Sequence, residues 1–292
     1  MARLILSAFA DEYSPLLDRQ LDMLKKEGFS HIEPRGIDGI NISKLDAHSA
    51  DLMCEKIKQS GIKVFALGTP IGKIGLDEDF GAHKELTRRM LDLGARLGAK
   101  ALRIFSFYLP EGKDKKACRE EVIDRLGQLI ELADSYGIRL CHENEGKIYG
   151  ENDLECLDLL KAFGGKLGCV FDMGNFVLGG TEPKAAYHRL REYIDYFHIK
   201  DALQTGAIVP PGAGEGCIAE ILSDFLAYKK RDTVITLEPH LTTFDGLSGL
   251  VDKVEFENPY VYPDAETAFL DATKRLHQIV KNIGEHHANQ SR

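Results

Sequence analysis

RLCHEN (139–144), LGCVFDM (167–173), IDYFHIK (194–200) and TVITLEP (233–239) are four runs built alike. In each, apolar residues that read as a buried β-strand run up to a side chain able to hold a metal ion. Those side chains are Glu143, Asp172, His198 and Glu238, spaced 29, 26 and 40 residues apart. About 30 residues is the length of one strand–helix–strand unit, so ligands at such intervals occupy equivalent places in successive units. Three carboxylates with one imidazole make a hard to borderline donor set, better suited to Mn²⁺, Mg²⁺ or Co²⁺ than to a structural Zn²⁺. The expected cofactor is one divalent metal ion, Mn²⁺ first, with Mg²⁺, Co²⁺ or Zn²⁺ as the alternatives.

Four further strand-like runs precede these: LILSAFA (4–10), HIEPR (31–35), KVFALG (63–68) and ALRIFSF (101–107). Between the eight lie segments with apolar residues at helical spacing, such as Leu16, Leu17, Leu21 and Leu24, or the stretch 122–133. Gly28, Gly61, Gly98 and Gly137 fall where a helix must give way to a strand. This alternation predicts a parallel sheet, and eight units predict closure into a (β/α)₈ barrel. The expected domain spans 1–284 as one barrel, with 285–292 a frayed tail, since GEHHANQSR lacks apolar periodicity. An open doubly wound sheet is the alternative. No GxGxxG turn follows the first strand, which counts against its dinucleotide-binding version.

With 46 acidic against 37 basic residues the chain carries a formal charge of −9, which disfavours nucleic acid or an anionic membrane as partner. Six cysteines (54, 118, 141, 156, 169, 217) form no CxxC pair or compact cluster, as expected for a chain in the reducing cytoplasm. Arg3 followed by LILSAFA faintly imitates a secretion signal, but Asp11 and Glu12 follow at once and the element is too short. No apolar run approaches the ~20 residues that span a bilayer.

The chain resembles the xylose-isomerase-like TIM barrel superfamily, specifically its sugar phosphate isomerase/epimerase group. The motifs that carry the likeness are FADEYSPLLDRQLDMLKKEGFSHIEPRG near the start, LGTPIGKI and RIFSFYLPEG, then CHEN, FDMGN, FHIKDA, PPGAGEG and TLEPHL in order. The resemblance implies metal ligands at the ends of strands five to eight, which map to Glu143, Asp172, His198 and Glu238, with Glu143 and Glu238 doubling as acid/base catalysts. Many relatives carry histidine three residues after the aspartate. This chain has Asn175 there, which puts the expected substrate contact in doubt.

Such a ring suits proton transfer at a carbon next to a carbonyl: a Lewis-acid metal stabilises a cis-enediolate while carboxylates from different strands serve its two faces. Return of the proton to the opposite face gives epimerisation, and to the neighbouring carbon isomerisation. A metal-dependent dehydratase of a keto-inositol or cyclic keto acid starts from the same proton removal. Ligand binding without turnover is a third class. Endonucleases on this architecture need more histidines and a basic face, which are absent here.

Three of the four ligands have a plainer reading: Glu143 as a loop salt bridge with Glu145 its rival, Asp172 as a helix cap, His198 as a core histidine. Pro239 holds the backbone of Glu238 extended. Side chains two apart on a strand share a face, which places Lys200 with His198 and His240 with Glu238 as candidate substrate contacts. Glu33 and Arg35 have similar standing, while Arg103 lies on a strand buried on both faces. PPGAGEG (210–216) is a candidate phosphate loop, and 241–263, with Phe244, Phe256, Tyr260 and Tyr262, a candidate lid or subunit contact. The expected partner is a small carbohydrate, with a homo-oligomer left open.

Overall fold

The structure, a computed structural model, describes residues 2–242 and 258–290, with side chains up to His286. Eight strands form the ring: β1 (Leu4–Ala8), β2 (His31–Ile32), β3 in two pieces (Lys63–Val64 and Ala66–Gly68), β4 (Ala101–Ile104), β5 (Arg139–Glu143), β6 (Gly168–Asp172), β7 (Ile194–Ile199) and β8 (Thr233–Leu237). All pairings between them are parallel. The second piece of β3 leads a continuous ladder through β4, β5, β6, β7 and β8 to β1, where Leu4 lies opposite Thr233. The first piece of β3 pairs with β2, His31 opposite Lys63. At the seam between β1 and β2 the Glu33 N–H donates to the Ala8 carbonyl at 3.0 Å, which closes the barrel.

The helices lie outside this ring: α1 (Leu17–Lys26), α2 (Ala47–Ser60), α3 (Phe80–Leu97), α4 (Lys115–Asp134), α5 (Asp153–Ala162), α6 (Met173–Leu178), α7 (Pro183–Leu190), α8 (Ile218–Lys229) and α9 (Ala265–Gln290). Their starts are fixed by side chains that accept otherwise unpaired N–H groups: Asp46 for α2, Asp79 for α3, Asp114 for α4 and Asn152 for α5. Gly61 and Gly98 end α2 and α3 in the left-handed region, at φ 76° and 70°, the conformation glycine adopts without steric cost. Helix α9 continues past residue 284, the boundary expected from the sequence. No described helix is long and apolar enough to cross a membrane.

Strand periodicity divides each strand's side chains between two environments. Outward residues such as Leu67, Leu102, Leu140, Phe171, Phe197 and Ile235 belong to the main apolar core beneath the helices. Inward, Ala66, Ala101, Cys141, Val170, Tyr196 and Val234 form a second cluster that floors the barrel. Two residues further along the same strands stand Gly68, Arg103, Glu143, Asp172, His198 and Thr236, so the barrel's contents turn from apolar to charged within one period. Gly68 leaves room for Phe9: a Cβ there would sit 2.3 Å from the Phe9 ring. Of the expected lid segment, Tyr262 donates to Asp271 at 2.7 Å and Tyr260 lies against Arg275, both docking on α9. Phe244 and Phe256 lie outside the described residues.

Candidate metal centre

The carboxyl ends of β5, β6, β7 and β8 bring Glu143, Asp172, His198 and Glu238 together, with one potential ligand atom from each inside a 4.8 Å span and all four side chains buried. His198 Nδ1 lies 2.8 Å from Glu143 Oε1 and 3.1 Å from Glu238 Oε2. Asp172 divides its oxygens: Oδ1 accepts the Asn175 N–H and caps α6, while Oδ2 faces the ring, 3.0 Å from Lys200 Nζ. The cap and ligand readings of Asp172 are therefore compatible. Glu145 instead pairs with Lys73 at 3.0 Å and stands outside the cluster.

Each glutamate is gripped from outside by an arginine. Arg103 turns inward and binds Glu143 Oε2 at 3.0 Å, which leaves Oε1 toward the centre. Arg35 binds Glu238 Oε1 at 2.9 Å and also holds Asp11 and Glu12, with its guanidinium 4.3 Å from the Phe9 ring centre. Glu238 Oε2, aimed at the centre, is buried and makes no well-aligned hydrogen bond, with His198 Nδ1 at 3.1 Å and Lys200 Nζ at 3.6 Å its nearest charged neighbours. His240, at φ 48°, turns its imidazole back to within 3.2 Å of Glu238 and 3.3 Å of Glu12.

Charge and donor chemistry fit a divalent cation here. Six buried carboxyl groups (Asp11, Glu12, Glu33, Glu143, Asp172, Glu238) outnumber the three buried cations Arg35, Arg103 and Lys200, so acidic groups dominate the pocket a cation would enter. Burial lifts Asp172 to about 7, against the pull of Lys200 and with the neighbouring charges of Glu143 and Glu238 adding to the rise. Burial would also raise Glu143, but His198 and Arg103 outweigh it and hold the group low. Glu238 is likewise held well below the carboxylate range, burial being overcome by Lys200 and His240. Burial would lower His198, yet Glu143 and Glu33 hold it well above its ordinary value. His198 Nδ1, between Glu143 and Glu238, marks the point where positive charge is favoured, and three carboxylates with an imidazole are a donor set that fits a Mn²⁺, Mg²⁺, Co²⁺ or Zn²⁺ ion.

The second-tier residues fall at different depths. Lys200 donates to Asp172 and, at 3.1 Å, to Asn175 Oδ1, so it pairs with the ring and not with Asp201. Asn175 also donates to the Asn144 carbonyl. Glu33 lies below the ring, its oxygens engaged by Tyr196, Thr236 and His198. The PPGAGEG loop does not offer its backbone to a phosphate: the N–H groups of Gly212, Gly214 and Gly216 all point to the Asp201 carboxylate at 2.8–3.0 Å. Sequence reading passed over Asp11, Glu12 and Asn144. The available signal was position, an acidic pair just beyond β1 on the rim where barrel sites lie.

The profile of a family described as xylose isomerase-like TIM barrel matches residues 21–241. No protein of curated function matches the chain in sequence. Among solved structures, an L-ribulose 3-epimerase superposes with a TM-score of 0.74 at 16% identity, over 100% of this chain and 99% of that one. An IOLI protein with a binding zinc atom gives 0.73 at 20% identity over 97% and 99%. The probable 3-DHS dehydratase AsbF of petrobactin synthesis from Bacillus anthracis gives 0.66 at 17% over 82% and 92%. At these identities the likeness is one of fold.

Proposed function

The chain belongs to the xylose isomerase-like TIM barrel family, and from that premise we propose that it is a divalent-metal-dependent isomerase or epimerase of a sugar or sugar phosphate. The observation that carries this reading is the paired grip on Glu143 and Glu238. Each presents one carboxylate oxygen to a common centre from a different strand while an arginine fixes the other oxygen. Glu143, Asp172, His198 and Glu238 would hold the ion, which when bound supplies Lewis-acid charge for the oxyanion formed beside the reacting carbon.

The protons are the work of the chain's own groups. One glutamate, as carboxylate, takes the hydrogen from the carbon next to the substrate carbonyl, and the C–H electron pair moves into the carbonyl to give a planar enediolate. The other would return a proton to the far face; since both glutamates rest ionised in the metal-free protein, it must take up that proton when substrate enters, and the two then exchange roles with each turnover in an epimerase. Lys200 and His240, beyond the ligand positions on their strands, would bind substrate oxygens, and Asn175, which accepts from Lys200, would orient it. The likeness to the AsbF dehydratase brings forward a second reading, metal-dependent loss of water from a cyclic keto substrate, which begins with the same proton removal.

Exchange of substrate hydrogen with solvent deuterium, followed by NMR over ketoses, aldoses, their phosphates and keto-inositols, separates these readings. Exchange at one carbon with epimer or isomer formation supports the first, and loss of water the second. No exchange in any sugar of the panel by metal-loaded protein would refute the isomerase reading. Glu143→Gln and Glu238→Gln keep a coordinating oxygen but no base, so turnover should fall on the order of 10²–10⁴-fold while metal affinity falls less. Near-normal turnover in either variant removes that residue from proton transfer.

A further inference from the structure

The two nitrogens of His198 face different partners. Nδ1 points at Glu143 and Glu238, so a cation held by the ring takes its lone pair and the ring proton must reside on Nε2. Nε2 lies 3.3 Å from both oxygens of Glu33. Glu33 is in turn fixed from two sides, the Tyr196 hydroxyl donating to Oε1 at 2.9 Å and the Thr236 hydroxyl to Oε2 at 2.8 Å.

Strand period two builds this support: Tyr196 stands two residues below His198 on β7, and Thr236 two below Glu238 on β8. The Glu33 backbone meanwhile ties β2 to β1 through Ala8. Aromatic edges close in on the imidazole, Phe9 at 5.0 Å and Tyr196 at 5.4 Å between ring centres. At 1% exposure Glu33 lies beneath the ring, on the side away from the open rim.

We propose that Glu33 is a positioning residue for the metal site. It accepts the Nε2–H of His198, selects the tautomer whose Nδ1 lone pair faces the ion, and makes that nitrogen a stronger donor through its negative charge. This rests on the metal reading given above. Tyr196 and Thr236 act one step further out, by keeping Glu33 from turning away.

The test is Co²⁺ binding by the full chain, read by calorimetry and by the visible d–d absorption, in wild type, Glu33→Gln, Glu33→Leu and Tyr196→Phe, with far-UV circular dichroism of each metal-free protein. Partners of ligating histidines typically contribute 10–100-fold to metal affinity. Glu33→Leu should lose about 100-fold and Glu33→Gln about 10-fold, because its amide oxygen still accepts the Nε2–H. Tyr196→Phe should lose less than either, and the absorption band should shift in the Glu33 variants. Should Glu33→Leu fail to fold, Glu33→Gln and Tyr196→Phe carry the same test. Wild-type affinity and an unchanged spectrum in the folded Glu33 variants would overturn the positioning role alone. A folded wild type that takes up no Co²⁺ would overturn the metal reading and the positioning role with it.

Discussion

Replacing Glu12 by glutamine should stabilise the metal-free protein in alkaline solution and leave it nearly unchanged in acid. Glu12 is buried beside Arg35, and its carboxyl is pushed up to about 8: burial raises it, Arg35 pulls it back, and Glu238 and Asp11 raise it further. In the unfolded chain the group returns to its ordinary 4.5. Between those two pH values the folded protein keeps a proton that the unfolded chain has released. Stability from this group is therefore full below 4.5, falls as pH rises, and levels off above 8. At ~1.4 kcal/mol per pH unit the window amounts to at most about 5 kcal/mol, and about 2–5 kcal/mol is expected after local relaxation. For 292 residues an unfolding entropy of about 0.6 kcal/mol/K converts this to a midpoint gain of about 3–8 °C. Glutamine is neutral throughout and, like the protonated carboxyl it replaces, offers one carbonyl oxygen, which can keep either the Arg35 or the His240 N–H contact, two bonds that Glu12 accepts on different oxygens. The assay is thermal unfolding of wild type and Glu12→Gln from pH 5 to 9 in chelator, taken as a difference so that Asp172 and other titrating groups cancel. Parallel curves, or a gap that opens on the acid side, would refute the reasoning.

Chelation should lower the unfolding midpoint of metal-loaded wild type by about 4–5 °C if the ion is present at ~100 times its Kd, where it stabilises by about 2.7 kcal/mol. Asp172→Asn, which keeps an oxygen for the α6 cap, should show reduced metal content and little response to chelator; undiminished metal would take Asp172 out of the site. Gly72→Ala should cost more than ~2 kcal/mol in urea unfolding, because residue 72 sits at φ +85° and a Cβ would fall 2.1 Å from the Phe105 carbonyl oxygen, a backbone atom that cannot swing aside. A loss under ~0.5 kcal/mol would show that this crossing relaxes.

The strands were legible because apolar runs and turn glycines are local signals. The four ligand candidates were legible because each interrupts such a run at its carboxyl end. What lies around them was less so, for identifiable reasons. Arg103 is on a strand buried on both faces, where alternation gives no sign of direction, and only its pairing with Glu143 reveals that it points inward. Asp11 and Glu12 sit in a short helical turn, Ala10–Glu12, without periodicity, and their purpose depends on Arg35, which also holds Glu238 203 residues further along. PPGAGEG has the composition of an anion-binding loop, and it is one, but the anion is the protein's own Asp201, a pairing visible only in three dimensions. Glu33 was named as a candidate substrate contact. Its depth was not, since one strand cannot say how far its neighbours extend past it.

The ladder between β1 and β8 joins Leu4 to Thr233, and this has a consequence during synthesis. At ribosomal speeds of ~5–20 residues per second, roughly 10–50 s separate the appearance of the first strand from that of its partner. Throughout that interval β1 is an apolar edge with unpaired N–H and C=O groups, open to pairing with other chains. Bringing its ends together then closes a loop of more than 200 residues, an entropic cost on the order of 5 kcal/mol, repaid only when Glu238 arrives to meet Arg35. The cluster of Glu143, Asp172, His198 and Glu238 is thus among the last contacts the nascent chain can make, and a chain released before residue 233 carries a permanent sticky edge in place of that cluster.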